Sequence, residues 1–191
     1  MRLATAALAL LLSTAAIGGE IEGIRLPKHV KLGADGPSLV LNGAGVRVRL
    51  IFRVYVAALY LPARTADGEA ILRGDQPKRL VLHMLRDLTP EQINATIRDA
   101  LGETLTPAER QPLDARMARF RAIFDTMREV REGTQITLDY LPQSGTIVSI
   151  NAEEKDRSPG ADFNQALMRV WLGDRPRDPD LRNALLGIGT K

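Results

Sequence analysis

Between residues 42 and 62 the chain reads NGAGVRVRLIFRVYVAALYLP, and no other stretch so restricts what it can fold into. From Val46 onward it is dense in β-branched and aromatic side chains, which favour extended backbone. The Asn-Gly-Ala-Gly at its start is expected to form a turn, with Gly43 and Gly45 at positive φ without steric cost. One long strand is expected to follow, ended by Pro62. Successive strand side chains point to opposite faces. The even positions, Val46 through Tyr60, are almost wholly apolar and read as core. The odd positions set Arg47, Arg49, Arg53 and Tyr55 among Ile51, Ala57, Leu59 and Leu61, placing cations and a phenol on a greasy surface. Such a run exceeds ordinary strand length, so a bulge or bend that resets its facing is expected partway. The start of this strand is the candidate site.

A strand with so much apolar surface needs a sheet and a covering layer. Residues 78–86 (KRLVLHMLR) supply a second strand, apolar on both faces and therefore internal. Shorter β-like runs precede the central strand at residues 21–26 and 29–32. They are separated by Pro27 and followed by a turn at 33–37 (GADGP). A hairpin is expected late, with residues 135–141 and 146–151 joined by Pro-Gln-Ser-Gly, followed by a charged stretch at 152–157 that reads as a solvated turn or a short returning strand before Pro159.

Helix starts are written out between these strands. Thr89-Pro90-Glu91-Gln92 combines a Thr cap, Pro at the first helical position and Gln three residues on, a capping box. Thr106-Pro107-Ala108-Glu109 repeats the signal. Its helix carries Leu113, Met117, Phe120, Phe124 and Met127 at three- and four-residue spacing, with Pro112 delaying its regular part and Gly133 expected to end it. A Met/Phe stripe suits a ligand cavity, but such stripes are more often ordinary core. A short helix is expected at 67–73. A helix at 161–172 should bury Phe163, Leu167, Val170 and Trp171, and Asp178-Pro179 opens a last short one. Early strands, central helices and a late hairpin argue for α+β: an antiparallel sheet with helices on one face.

The N-terminus adds an address. Met1-Arg2, an apolar run to Leu12, and small residues ending in Ala16-Ile17-Gly18 read as a secretory signal peptide over 1–18. It is too short to serve as a span, and no later run offers the roughly 18 apolar residues a span needs. The expected product is one soluble, exported, periplasmic domain over 19–191. The full chain's 26 basic against 23 acidic residues give a net charge of only +3, with no dense basic run, so nucleic-acid binding is disfavoured. No cysteine is present, which excludes disulfides and thiolate chemistry. His29 and His83 stand in no ligand spacing and read as strand residues, so no metal site is expected. No nucleotide-binding or α/β-hydrolase fingerprint appears, and no cofactor is expected.

Three motifs in order, GAGVR (43–47), AALYLP (57–62) and GADFNQALMRVWLGDRPRDPDLRNALLG (160–187), resemble the chalcone isomerase-like domain, in particular its exported bacterial branch. The resemblance covers nearly all of the chain after the signal segment. It implies an open-faced β-sandwich, a large antiparallel sheet under a layer of helices with a ligand cleft between them. In the plant isomerases of this family an Arg just after the Gly-x-Gly holds the developing oxyanion, and Arg47 matches it. A Thr further along that strand, which orders a water, corresponds to Tyr55. The family's Tyr and Asn pair on the first helix falls near Ile93 and Ala100, and its late Thr falls on Val170. Three polar catalytic positions are thus apolar here.

Ring closure of a chalcone needs an activated phenolate, enolate stabilisation and a placed water, and Arg47 supplies only charge stabilisation. Binding a hydrophobic carboxylate needs apolar walls and one charge-assisted clamp, for which an Arg fork and a Tyr hydroxyl suffice. The fatty-acid-binding plant relatives are understood to use such a pair, which the resemblance extends to Arg47 and Tyr55, with Arg49 in reserve if a bulge shifts the register. The leading reading is a non-catalytic binder of a fatty acid or similar amphiphile. An intramolecular lyase of unknown substrate stands as the second reading. The third is a structural or partner-binding protein in which Arg47 makes an internal salt bridge to Asp87 or Asp139.

Overall fold

The computed structural model describes residues 17–174 and 176–189. The expected signal segment therefore lies outside the described residues, except for Ile17 and Gly18 at its end. Strands β3 (His29–Lys31), β4 (Ser38–Arg49), β5 (Phe52–Leu61), β6 (Lys78–Met84), β7 (Gln135–Leu141), β8 (Gly145–Ile150) and β9 (Glu153–Ser158) form one antiparallel meander, each paired with its sequence neighbour. A separate hairpin, β1 (Ile17–Ile21) and β2 (Ile24–Pro27), lies on one face. Helices α1 (Gly68–Arg73), α2 (Pro90–Thr104), α3 (Pro107–Arg110), α4 (Asp114–Asp125), α5 (Ala161–Leu172) and α6 (Pro179–Leu185) cover the other. The α+β open-faced sandwich expected from the sequence is the architecture observed.

Two cores follow from the two faces. On the helix side Leu59, Leu80, Leu82 and Leu138 meet Phe120, Phe124, Phe163 and Leu167. Phe120 stands edge-on to both Phe124 and Phe163, with centroids 5.7 and 6.3 Å apart, an arrangement aromatic quadrupoles favour. On the opposite side Leu26, Leu39, Ala58, Tyr60 and Val81 form a smaller cluster beneath β1 and β2.

Local signals were obeyed where they were local. The Thr89 hydroxyl accepts from the Gln92 amide at 3.3 Å while Gln92 Oε1 accepts from the Thr89 amide at 3.0 Å, and Thr106 with Glu109 repeats the box. Each cap is worth about 1 kcal/mol. Pro112 breaks the second helix into α3, a 3-10 turn (Gln111–Leu113) and α4, because its ring cannot donate to the ladder. Gly133 does not end that helix. α4 stops at Asp125, and Gly133, at φ 81°, turns the chain into β7 after Val130 has bridged Leu88. The run at 21–26 is not one strand but a hairpin bend, with Glu22 and Gly23 at φ 51° and 75°. Of the two readings for the charged stretch at 152–157, the returning strand is the one observed: it is largely the edge strand β9, whose side chains are mostly exposed.

The central stretch departs most. It is not one strand but two, β4 and β5, folded back at Leu50-Ile51. Asn42 to Gly45 are not a turn; they lie within β4. Their register slips between Leu41 and Gly43, and the Asn42 side chain fills the irregularity. Its Nδ2 donates to the carbonyls of Thr65 (3.0 Å) and Leu185 (2.8 Å), and its Oδ1 accepts from the Thr65 amide (2.8 Å). A buried amide so fully satisfied ties β4, the β5–α1 loop and the end of α6 together.

Lys78 is a buried cation with a structural task. It is 1% exposed, and its Nζ donates to the carbonyls of Ile71 (3.0 Å) and Gly74 (2.9 Å), capping the last turn of α1. Burial lowers its pKa to about 8, with Asp75 opposing the shift. Burial raises Tyr60 and Tyr140 to about 12, and the bond from Tyr140 to Asp75 adds to the second shift. Between about pH 8 and the ordinary Lys value the unfolded chain binds more protons, so stability rises with pH. Above the ordinary Tyr value, near 10, the folded chain holds protons longer and stability falls. Urea unfolding from about pH 7 to 11.5 is expected to show maximal stability near pH 9–10. Lys78→Met should flatten the rising limb. An unchanged limb in that variant would remove Lys78 as its source.

Candidate functional site

Arg47 and Tyr55 are direct cross-strand partners in β4 and β5, so both side chains leave the sheet on the same face. That face is the one under the helices, which it shares with Ala57 and Leu59 of β5. The odd-numbered face is thus the main core as well as the site. Just beyond the pair the register skips Val54, and Val48 pairs with Arg53. This bulge turns Arg53 away from the site, to the far face, where it ion-pairs with Glu22 at 2.8 Å.

The two side chains line a cavity of about 590 Å³ between sheet and helices, within the roughly 300–1,000 Å³ typical of small-molecule sites. The sheet contributes Leu82, Met84, Ile136 and Leu138 to its wall. Helix α2 contributes Ile93 and Ile97, α4 Phe120 and Phe124, and α5 Leu167, Val170 and Trp171. The Met/Phe stripe therefore divides its work. Phe120 and Phe124 face both cavity and core, Met117 packs in the core, and Met127 lies past the end of α4. Ile93 and Val170 line the cavity as apolar groups, and Ala100 is buried outside its lining.

Arg47 is held from the C-terminal side of the chain. Its Nη1 donates to Asp178 Oδ2 at 2.9 Å and to the Arg177 carbonyl at 3.3 Å. The internal salt bridge foreseen for Arg47 exists, but its partner is neither Asp87 nor Asp139. Asp139 binds Arg79 in two bonds of 2.6 Å, and Asp87 accepts from the Glu132 amide. Asp178 does double duty, since its other oxygen accepts from the Leu181 amide at 2.9 Å and caps α6. Among the described residues, Nε and Nη2 of Arg47 have no partner.

Tyr55 is oriented by Trp171, whose indole Nε1 donates to its hydroxyl oxygen at 3.0 Å. Because the oxygen accepts there, the phenolic proton is left to be donated. Burial raises the Tyr55 pKa, with the Trp171 bond and the Arg47 charge pulling the other way, so the phenol is neutral at physiological pH. Trp171 was expected to be buried core. It is only partly buried, and its polar edge belongs to the site. At the rim stand Arg49, Arg86 and Arg177, with Arg177 paired to Glu103 at 2.8 Å and Arg86 stacked 4.7 Å over the Phe52 ring.

A neutral phenol and a half-satisfied guanidinium in a mostly apolar cavity form a donor set for an anionic head group on an apolar body. The family model described as chalcone isomerase-like matches residues 18–187. The chain belongs to the chalcone isomerase-like family. Among solved structures, the chain is similar to a fatty-acid binding protein from Arabidopsis thaliana. The TM-score is 0.67 at 14% sequence identity, with 86% of this chain and 92% of that one covered. At that identity the likeness is one of fold. No curated protein sequence matches. Asp178 and Trp171 are the site residues that sequence reasoning did not assign. Asp178 carried only a capping signal and Trp171 only a core signal, and neither says which distant strand it meets.

Proposed function

We propose that this family member binds a hydrophobic carboxylate, such as a fatty acid, in the cavity between sheet and helices, without turning it over. The observation that carries the reading is the make-up of the cavity: a lining that is mostly apolar, with Arg47 and Tyr55 paired side by side in it. The carboxylate would take the free Nε and Nη2 edge of Arg47 and the Tyr55 proton, and the acyl chain would lie against Ile93, Phe120, Phe124 and Leu138. The family membership and the fold likeness to a plant fatty-acid binding protein support this reading. The lyase reading is weaker, because Ile93 and Val170 present no polar atom for activating a phenol or placing a water.

Native mass spectrometry before and after solvent extraction tests it. A co-purifying amphiphile, or a one-to-one complex formed on adding palmitate but not methyl palmitate, is the expected result. A bare mass after incubation with fatty acids would overturn the binder. One observation favours a second reading: the Arg47–Asp178 pair already gives the guanidinium an internal partner and staples α6 to β4, as a purely structural Arg would. Chalcone cyclisation lost in Arg47→Ala would instead favour the lyase.

The reading includes export to the periplasm, on the strength of the 1–18 segment. Cleavage after Gly18 leaves the pairs Gly19–Leu26, Glu20–Arg25 and Ile21–Ile24 of the first hairpin intact. A periplasmic extract should then yield a chain starting at Gly19, and a cytoplasmic full-length chain would end this part of the proposal.

A further inference from the structure

The bend between β4 and β5 is built against its own solubility. Among the described residues the exposed large hydrophobic side chains are Val48, Leu50, Ile51, Phe52 and Ile188, and four of these five sit on this one tip. Leu50 and Ile51 are 87% and 85% exposed, and Phe52 is 50% exposed. A two-residue hairpin bend ordinarily takes Gly, Asn or Asp, which tolerate left-handed backbone at little cost. Here Leu50 holds φ 58°, a conformation branched apolar residues avoid, and its neighbour is β-branched. Neither folding nor packing repays this choice, since both side chains point into water.

Charge surrounds the apolar tip. Arg49, Arg53 and Arg86 flank it, with Arg86 stacked on Phe52. Arg53 is paired with Glu22, while Arg49 and Arg86 have no carboxylate partner among the described residues. The acidic residues nearby include Glu22, so paired, Asp87, which accepts from a backbone amide, and Asp99, which lines the same cavity as Arg49 and Arg86 and forms no ion pair with either. An exposed apolar projection ringed by unneutralised guanidinium groups matches the surface of an anionic bilayer, with acyl chains below and phosphates at the level of the cations.

We propose that the β4–β5 tip docks this protein on an anionic lipid bilayer, with Leu50, Ile51 and Phe52 entering the interface and Arg49 and Arg86 meeting lipid phosphates. Arg49, Leu50 and Phe52 also line the cavity mouth, so a docked tip presents that mouth to the membrane. The docking does not depend on what the cavity holds.

The chain contains no cysteine, so an Ile51→Cys variant takes a single environment-sensitive fluorophore at the tip. The same label at Ala118, exposed on α4, is the control. Vesicles of phosphatidylethanolamine and phosphatidylglycerol should blue-shift the tip label and leave the Ala118 label unchanged, and added salt should weaken the response. Adding Leu50→Ser, or Arg49→Gln with Arg86→Gln, to the labelled background should lower the apparent vesicle affinity at least about tenfold. Thermal unfolding of each variant establishes that it is folded. No tip response, or equal shifts at both labels, overturns the proposal. Equal affinity for pure phosphatidylcholine vesicles overturns its electrostatic half. A protein-concentration-dependent shift without vesicles, with a dimer in sedimentation that Leu50→Ser dissolves, assigns the tip to a second copy of the chain instead.

Discussion

Arg47→Ala is expected to weaken palmitate binding by about 10- to 100-fold while leaving the affinity for methyl palmitate within about twofold. Hydrogen bonds to a charged group contribute roughly 1.5–3 kcal/mol, and each 1.4 kcal/mol is a factor of ten. The ester keeps the apolar contacts and offers no charge to lose. The neighbouring carboxylate sharpens the test. Asp178 holds Arg47 Nη1 at 2.9 Å and so competes with any incoming anion. Asp178→Asn keeps an oxygen to cap Leu181 but removes the competing charge, and should tighten palmitate several-fold. Opposite signs at two residues that touch distinguish a clamp from a staple. If Arg47 only fastens α6, both variants should lower thermal stability and neither should change palmitate affinity in a charge-dependent way. Isothermal titration with acid and ester, beside thermal unfolding of each variant, reads both quantities.

Gly43→Ala should cost about 3 kcal/mol or more of folding stability, at the upper end for overpacking. A Cβ on Gly43 would stand 2.1 Å from the Ala184 carbonyl oxygen and 2.6 Å from that of Leu185, and both obstacles are backbone. No rotamer change relieves such a contact; the end of α6 must retreat. The midpoint of thermal unfolding should fall by about 6–12 °C in a chain of this size. Gly19→Ala, with nothing within 4 Å of its Cβ, is the matched control and should be silent. Because α6 also delivers Asp178 to Arg47, Gly43→Ala should disturb the ion pair, visible as a smaller effect of a subsequent Asp178→Asn on palmitate affinity. A fully stable Gly43→Ala would mean that α6 is not packed on β4 as closely as the glycines imply.

The glycines mark where sequence reasoning reached its limit. Gly43 and Gly45 were read as turn residues because glycine's freedom at positive φ is its most frequent use. Neither has positive φ; at both, α6 lies on the strand so closely that a Cβ on Gly45 would stand 2.6 Å from the Ala184 Cβ. That reason involves residues about 140 positions away, which no local window contains.

What the sequence by itself determined were the features written in short-range terms. The α+β class, the capped starts of α2 and α3, the delay of the regular α4 helix by Pro112 and the hairpin of β7 and β8 were legible, since caps, proline and strand alternation act within a few residues, whereas Arg47 and Tyr55 share a face only because β4 and β5 pair there. Only the tertiary structure decided the rest. The fold-back at Leu50-Ile51 carries no turn residue, so pairing of β4 with β5 over their shared core imposes it against local preference. The bulge at Val54 sends Arg53 to the far face, a reversal that a strict two-residue period cannot show. Asp178 reaches Arg47 across 131 residues and Trp171 reaches Tyr55 across 116. Those contacts exist because burying Leu181, Leu185 and Leu167 against the sheet brings α5 and α6 to the strands that carry the site. Hydrophobic burial has no direction along the chain, and so the site it assembles is encoded by faces that meet in space.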